Sequence, residues 1–201
     1  MSIGPVQTQF FHLNQTFPLD SGESFDTITL AYETYGTLNS EANNAILVFH
    51  ALTGSQHAAG INKSVPGVAP LWTEECVVGW WDSFIGPGKA LDTERYFIIC
   101  ANYLGSCYGS TGPRSTNPST GKSYGSQFPQ VSAWDVIRSQ LCLLDSLGID
   151  CLHAVIGGSM GGMLSILLAT RCPQRVKNVL PIATGLETTV LHRVHNFEQI
   201  L

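Results

Sequence analysis

The chain has 201 residues, enough for one domain with a substantial core. With 44% hydrophobic residues, 12% charged residues and a formal net charge of -5, it is neither a disordered chain nor a basic nucleic-acid binder. No apolar run approaches the roughly 18 residues of a membrane span, and the N-terminus lacks the basic start and apolar stretch of a secretory leader, which predicts a soluble cytoplasmic protein.

Gln9 to Leu13 is a weak strand candidate, and Thr27 to Thr34 (TITLAYET) alternates with the period of two expected of a half-buried strand. Ala45 to His50 (AILVFH) and Tyr96 to Cys100 (YFIIC) are short continuous apolar runs, the pattern of strands buried on both faces. Val131, Trp134, Ile137, Leu141, Leu144 and Leu147 recur at helical spacing, and Gly148 stands where a helix-ending glycine belongs. Leu152 to Ile156 (LHAVI) predicts another buried strand, and Met160 to Arg171 a helix stopped by Pro173. Val176 to Ile182 is the last strand, and Pro181 implies that it ends early or lies where its amide is not needed.

Strands alternating with helices predict the α/β class, a mostly parallel sheet with helices on both faces. The segments 53–92 and 104–129 hold most of the Gly, Pro and Ser, and each follows a strand end, where an open α/β sheet places its ligands. Six cysteines are scattered with no C-x-x-C pair, so neither a metal site nor a disulfide frame is expected. Cys100 and Cys142 read as small core hydrophobes, whereas Cys107, in a glycine-rich loop, is the one placed near a site.

The chemistry-bearing motif is Gly157-Gly158-Ser159-Met160-Gly161, a G-x-S-x-G between a predicted strand and a predicted helix. That context is the nucleophile elbow of the α/β-hydrolase fold, with Ser159 as the attacking residue. A serine there needs a strained turn that lifts its hydroxyl above the sheet. Gly157 and Gly161 sit where a Cβ would press on a neighbouring element, and Gly158 and Gly162 are expected to loosen the turn further. A glycine-rich turn of this kind can also hold a phosphate, but Ser159-Met160-Gly161-Gly162 does not continue as the G-K-[ST] of a phosphate loop. The helix starting at Met160 aims its amide and the positive end of its dipole at an oxyanion beside Ser159. The second oxyanion donor is expected from the loop after Ala45 to His50, through the backbone amide of Leu52 or Thr53. His50 precedes the serine, contrary to the Ser, acid, His order of this fold, and reads as a structural residue.

Several segments together make the chain resemble the homoserine O-acetyltransferase family: YETYGTLN (32–39), HALTG (50–54), GWWDSFIGPGKALDTERYF (79–97), NYLGSCYGSTGPRSTNP (102–118), YGSQFP (124–129) and GGSMGGM (157–163). The resemblance implies transfer of an acetyl group from acetyl-CoA, as co-substrate, to the hydroxyl of L-homoserine through an acetyl-Ser159 intermediate, with no bound cofactor or metal. It implies a role in methionine biosynthesis and a homodimer for the full-length enzyme. Related patterns belong to serine O-acetyltransferases and homoserine O-succinyltransferases, and the elbow itself equally suits an esterase or thioesterase. The family pattern continues through a helical lid, an acid and a histidine beyond residue 201, so residues 1–201 are expected to be the N-terminal part of one α/β-hydrolase domain. After Ser159 the only acid and base candidates are Glu187 or Glu198 with His192 or His195, too close to the last strand to converge on the serine. The chain alone is therefore expected not to turn over, and a non-catalytic remnant is the rival reading. Asp135 and Asp145 precede the serine and read as helix-surface residues.

Overall fold

In the computed structural model, which describes residues 3–187 and Val190, the apolar runs pair into one six-stranded sheet. Its strands are β1 (Gln9–Leu13), β4 (Ile28–Tyr35), β5 (Ala45–Phe49), β6 (Phe97–Ala101), β7 (Ala154–Gly158) and β8 (Val179–Ile182), in the order β1-β4-β6-β5-β7-β8. The strands β2 (Phe17–Pro18) and β3 (Ser24–Phe25) form a separate two-stranded hairpin that the sequence pattern did not reveal. β1, β4 and β6 are joined antiparallel, whereas β6, β5, β7 and β8 are joined parallel.

The period of two sorts the strand residues between two cores. Ala45, Leu47 and Phe49 face one side, among side chains from the helices α1 (Ala133–Ser146) and α2 (Met160–Arg171) such as Ile137, Leu144, Leu164 and Leu168. Ile46 and Val48 face the other with Ile98, Ile156, Ala58 and Ile85. The expected helical cover of both faces is thus met on one face by the two α-helices. The second face is covered by the long connection after β5, which presents Ala58, Ala59, Ile85 and Leu91. Its Gly and Pro content favours turns over helix.

One buried polar knot ties that connection down. The carboxylate of Glu33, on β4, accepts hydrogen bonds from the Thr8 hydroxyl, the Tyr35 hydroxyl and the Asn62 amide, each at 2.8 Å. His57 Nδ1 lies 2.8 Å from the same carboxylate, and its Nε2 lies 3.0 Å from the Val77 carbonyl. The Tyr35 hydroxyl also accepts from the amides of Ala58 and Ala59. Glu33 and His57 are both buried.

Helix α1 is defined at each end by its own residues. Ser132 caps the N-terminus: its hydroxyl accepts from the Asp135 amide at 3.1 Å, and the Asp135 carboxylate accepts from the Ser132 amide at 2.9 Å. At the other end Gly148, at φ 72°, turns the chain so that its amide reaches the Asp145 carbonyl and the Ile149 amide the Leu144 carbonyl, a Schellman closure. Asp135 departs from its expected surface position. Its carboxylate is fully buried and also binds the Arg138 guanidinium and the Asp20 amide. Burial pushes this carboxyl up, but the donors outweigh it and hold it below the ordinary aspartate value. Asp145 does lie on the surface, paired with Arg175 at 2.6 Å.

β7 starts two residues later than the apolar run because Leu152 and Val176 pair as an isolated bridge before the main ladder begins. In β8 the carbonyls of Asn178 and Ile182 accept from Val155 and Ser159, so the position of the missing Pro181 amide points to the edge away from β7. Removing the hub of the polar knot by Glu33→Ala leaves buried donors without an acceptor. Urea unfolding followed by circular dichroism is expected to show a loss of about 3–5 kcal/mol.

Candidate active site

Ser159 is the single residue between the end of β7 and the start of α2, with φ 54° and ψ -120°. A side chain in that region of backbone space costs roughly 1–3 kcal/mol and persists only where surrounding bonds over-determine it. Here they do. The Ser159 amide donates to the Ile182 carbonyl at 2.9 Å, and its carbonyl accepts from the amides of Gly162 and Met163 at 3.0 and 3.2 Å. The side chain is exposed, and its hydroxyl has no hydrogen-bond partner among the described residues.

The glycines around it answer to different constraints. A Cβ on Gly161 would lie 2.3 Å from the Phe49 carbonyl oxygen and 2.8 Å from that of His50, so the first turn of α2 rests directly on the end of β5. A Cβ on Gly157 would meet the Gly161 carbonyl oxygen at 2.1 Å. The expectation that Gly158 and Gly162 merely loosen the turn is corrected. A Cβ on Gly162 would strike the Thr184 side chain at 2.5 Å, whereas one on Gly158 meets nothing within 4 Å.

The expected oxyanion donors lie at the start of α2 and on the turn after β5. The amide of Met160 opens α2 and donates to no described acceptor; the amides of Leu52 and Thr53 are free in the same sense. These two residues sit at the tip of a turn closed by the Gly54 amide on the Ala51 carbonyl at 2.9 Å. Leu52 and Met160 line one cavity of about 670 Å³, with Tyr103, Val136, Met163 and Leu167 among its walls; Thr53 does not line it. The wall residues escaped the sequence pattern, except that Met163 and Leu167 share one face of the predicted helix at i, i+4 spacing. Cys107 is exposed and lines the same cavity.

His50 is buried beneath this turn. Its Nδ1 is 2.7 Å from the Ala51 carbonyl, and its ring stacks on Tyr103 with centroids 3.7 Å apart. The Tyr103 hydroxyl donates to the His50 carbonyl, and the buried Nε2 has no partner among the described residues. Burial lowers the ring's pKa from 6.5 to about 4. No hydrogen bond joins it to Ser159. Glu187 is exposed and likewise unconnected to the serine, while His192, His195 and Glu198 lie outside the described residues.

Two measurements test this geometry. Gly161→Ala is expected to lower stability by about 2–3 kcal/mol through overpacking, whereas Gly158→Ala stays within about 1 kcal/mol; equal effects would contradict the close seam. For His50 the neutral ring is the folded form, so the unfolded chain binds the extra proton between about pH 4 and 6.5. Its contribution, up to about 3 kcal/mol, is complete above pH 6.5 and lost as pH falls toward 4. His50→Phe should flatten that part of a pH series of urea midpoints.

A family model described as the alpha/beta hydrolase fold matches residues 44–200. Over 187 residues the chain is 51% identical to the homoserine O-acetyltransferase of Moorella thermoacetica, covering 93% of this chain and 48% of that protein. The crystal structure of homoserine O-acetyltransferase from Bacillus anthracis superposes with a TM-score of 0.80 at 36% identity, over 96% of this chain and 50% of the other. An esterase, E22, in its L374D mutant form, matches equally well, with a TM-score of 0.81 at 36% identity over 93% of this chain and 50% of its own. The chain spans about half the length of the curated relatives it matches. Among the described residues no helix is long and apolar enough to cross a membrane.

Proposed function

The chain belongs to the α/β-hydrolase fold family, and on that premise we propose that it carries the nucleophile of an acyltransferase moving an acetyl group from acetyl-CoA to L-homoserine. The observation that carries this is Ser159 itself: a serine in a sparsely populated backbone conformation, its hydroxyl exposed and unpaired, at the N-terminus of α2. The relatives at about 50% identity, named homoserine O-acetyltransferases, support the choice of reaction.

In the first half-reaction Ser159 Oγ attacks the thioester carbonyl carbon, and its proton passes to a base. The tetrahedral oxyanion is held by the amides of Met160 and Leu52, each worth about 3 kcal/mol of barrier. Leu52 is preferred over Thr53 because it shares the cavity wall with Met160. Collapse expels the CoA thiolate, which takes up a proton, and leaves acetyl-Ser159. The homoserine hydroxyl then attacks this ester through the same hole, giving O-acetyl-L-homoserine and the free serine. His50 is no candidate for the base, being buried and unconnected to the serine. The base and its acid are therefore assigned to residues other than those described. A homodimeric, cytoplasmic enzyme of methionine biosynthesis completes the reading.

A second reading, an esterase with water as acceptor, draws on the equal structural likeness to esterase E22. Product analysis separates the two. The full-length protein incubated with acetyl-CoA and homoserine is expected to yield O-acetyl-homoserine rather than acetate. An acid quench should trap an acetyl group on the Ser159 peptide, absent in Ser159→Ala. Residues 1–201 alone are expected to release CoA no faster than the Ser159→Ala variant, since an unassisted hydroxyl is a poor nucleophile. Turnover by that chain would place the base within residues 1–201.

A further inference from the structure

The loop after β6 builds two adjoining cavities of opposite character. The larger is the largely apolar one beside Met160 and Leu52. The smaller, of about 160 Å³, is walled by glycine and serine, including Gly67, Ser110 and Ser115. Ser106, Cys107 and Arg114 line both, so they mark the passage between them. Arg114 is exposed, and its guanidinium makes no hydrogen bond or ion pair with any described residue. A guanidinium left unpaired at the junction of an apolar cavity and a hydroxyl-lined one is built to receive an anion in fork geometry.

We propose that Arg114 binds the phosphate end of the acyl donor, with the apolar cavity taking the donor's uncharged arm as it runs toward Ser159. This rests on the acyl-CoA reading above. The charge inventory chooses between the two substrates. Among the described residues no aspartate or glutamate lines either cavity. A zwitterionic amino acid would bring an ammonium group with no acceptor of opposite charge, whereas a phosphate ester needs only the cation and the hydroxyl donors of Ser106 and Ser115, the Ser110 hydroxyl being committed to the Asn102 carbonyl. An arginine so exposed is also screened by salt, so its share of the affinity should fall with ionic strength.

Cys107 supplies a local reporter, because its exposed thiol lines both cavities. In the full-length protein, iodoacetamide alkylation of Cys107 is followed by peptide mass spectrometry during titration with CoA or with pantetheine, which lacks the phosphates, each supplied as its S-methyl thioether so that no ligand thiol consumes the reagent. CoA is expected to protect at about ten-fold lower concentration than pantetheine, the advantage of charge-assisted bonds to phosphate. In Arg114→Ala that advantage should vanish, with CoA protecting only as pantetheine does and the thermal midpoint unchanged. Arg114→Lys should retain part of it. Unaltered protection by CoA in Arg114→Ala overturns the proposal. So does a wild-type protein in which acetyl-Ser159 forms but neither compound protects Cys107, since the donor then lies elsewhere while the acyltransfer reading stands. If acetyl-Ser159 does not form at all, that reading fails first and this inference goes with it.

Discussion

The contact between the first turn of α2 and the end of β5 governs the geometry of this molecule. It is backbone against backbone: the Cα of Gly161 sits so near the Phe49 and His50 carbonyls that no side chain fits between them. On the opposite flank the Ile182 carbonyl holds the Ser159 amide. Held from both sides, the chain passes from strand to helix through one residue in a conformation that it would not choose alone. The exposure of the hydroxyl, the free amide of Met160 and the proximity of the Leu52 turn all follow from that crossing.

A division of labour runs through the sheet. The helix-covered face buries an ordinary apolar core, with Leu47, Phe49, Ile137 and Leu164 in it. The other face holds a long loop by a carboxylate hub at Glu33 together with small apolar residues such as Ala58 and Ala59. A loop has unpaired amides and carbonyls that a sheet face cannot satisfy, so a buried polar residue whose partners converge on it is the physical means of docking one. The Tyr35 hydroxyl does part of this work directly, accepting from two consecutive loop amides. The corner at Ser159 thus borders a connection whose position is set by hydrogen bonds and whose neighbours are set by packing.

How much of this was legible in the sequence depends on the range of the interaction. Helix α2, from Met160 to Arg171, and strand β1, from Gln9 to Leu13, fall where the local pattern puts them, and the left-handed Gly148 ends α1 as expected. The placement of a serine at a strand-to-helix turn was readable because the glycines encode it within five residues. Features made by distant partners were not readable. Asp135 looks like a surface residue by periodicity, yet Asp20, from far up the chain, and Arg138 converge on it in the interior. The β2–β3 hairpin is two residues per strand, too short to show a period. Gly158 and Gly162 read alike in the sequence, as glycines that loosen the turn, because only the fold reveals that Thr184 returns to the second and nothing approaches the first.

The seam at Gly161 has a consequence for how such a protein can change over evolutionary time. Side chains in either core can be exchanged for others of similar volume, since interdigitated packing has many near-equivalent solutions. Two main chains in direct contact have only one. The apolar interior can therefore drift freely in composition while the register of helix on strand, and with it the aim of the serine, is inherited unchanged. Diversity in what such a cavity admits is accordingly expected to arise in loops such as 104–115, which border it without bearing on that join.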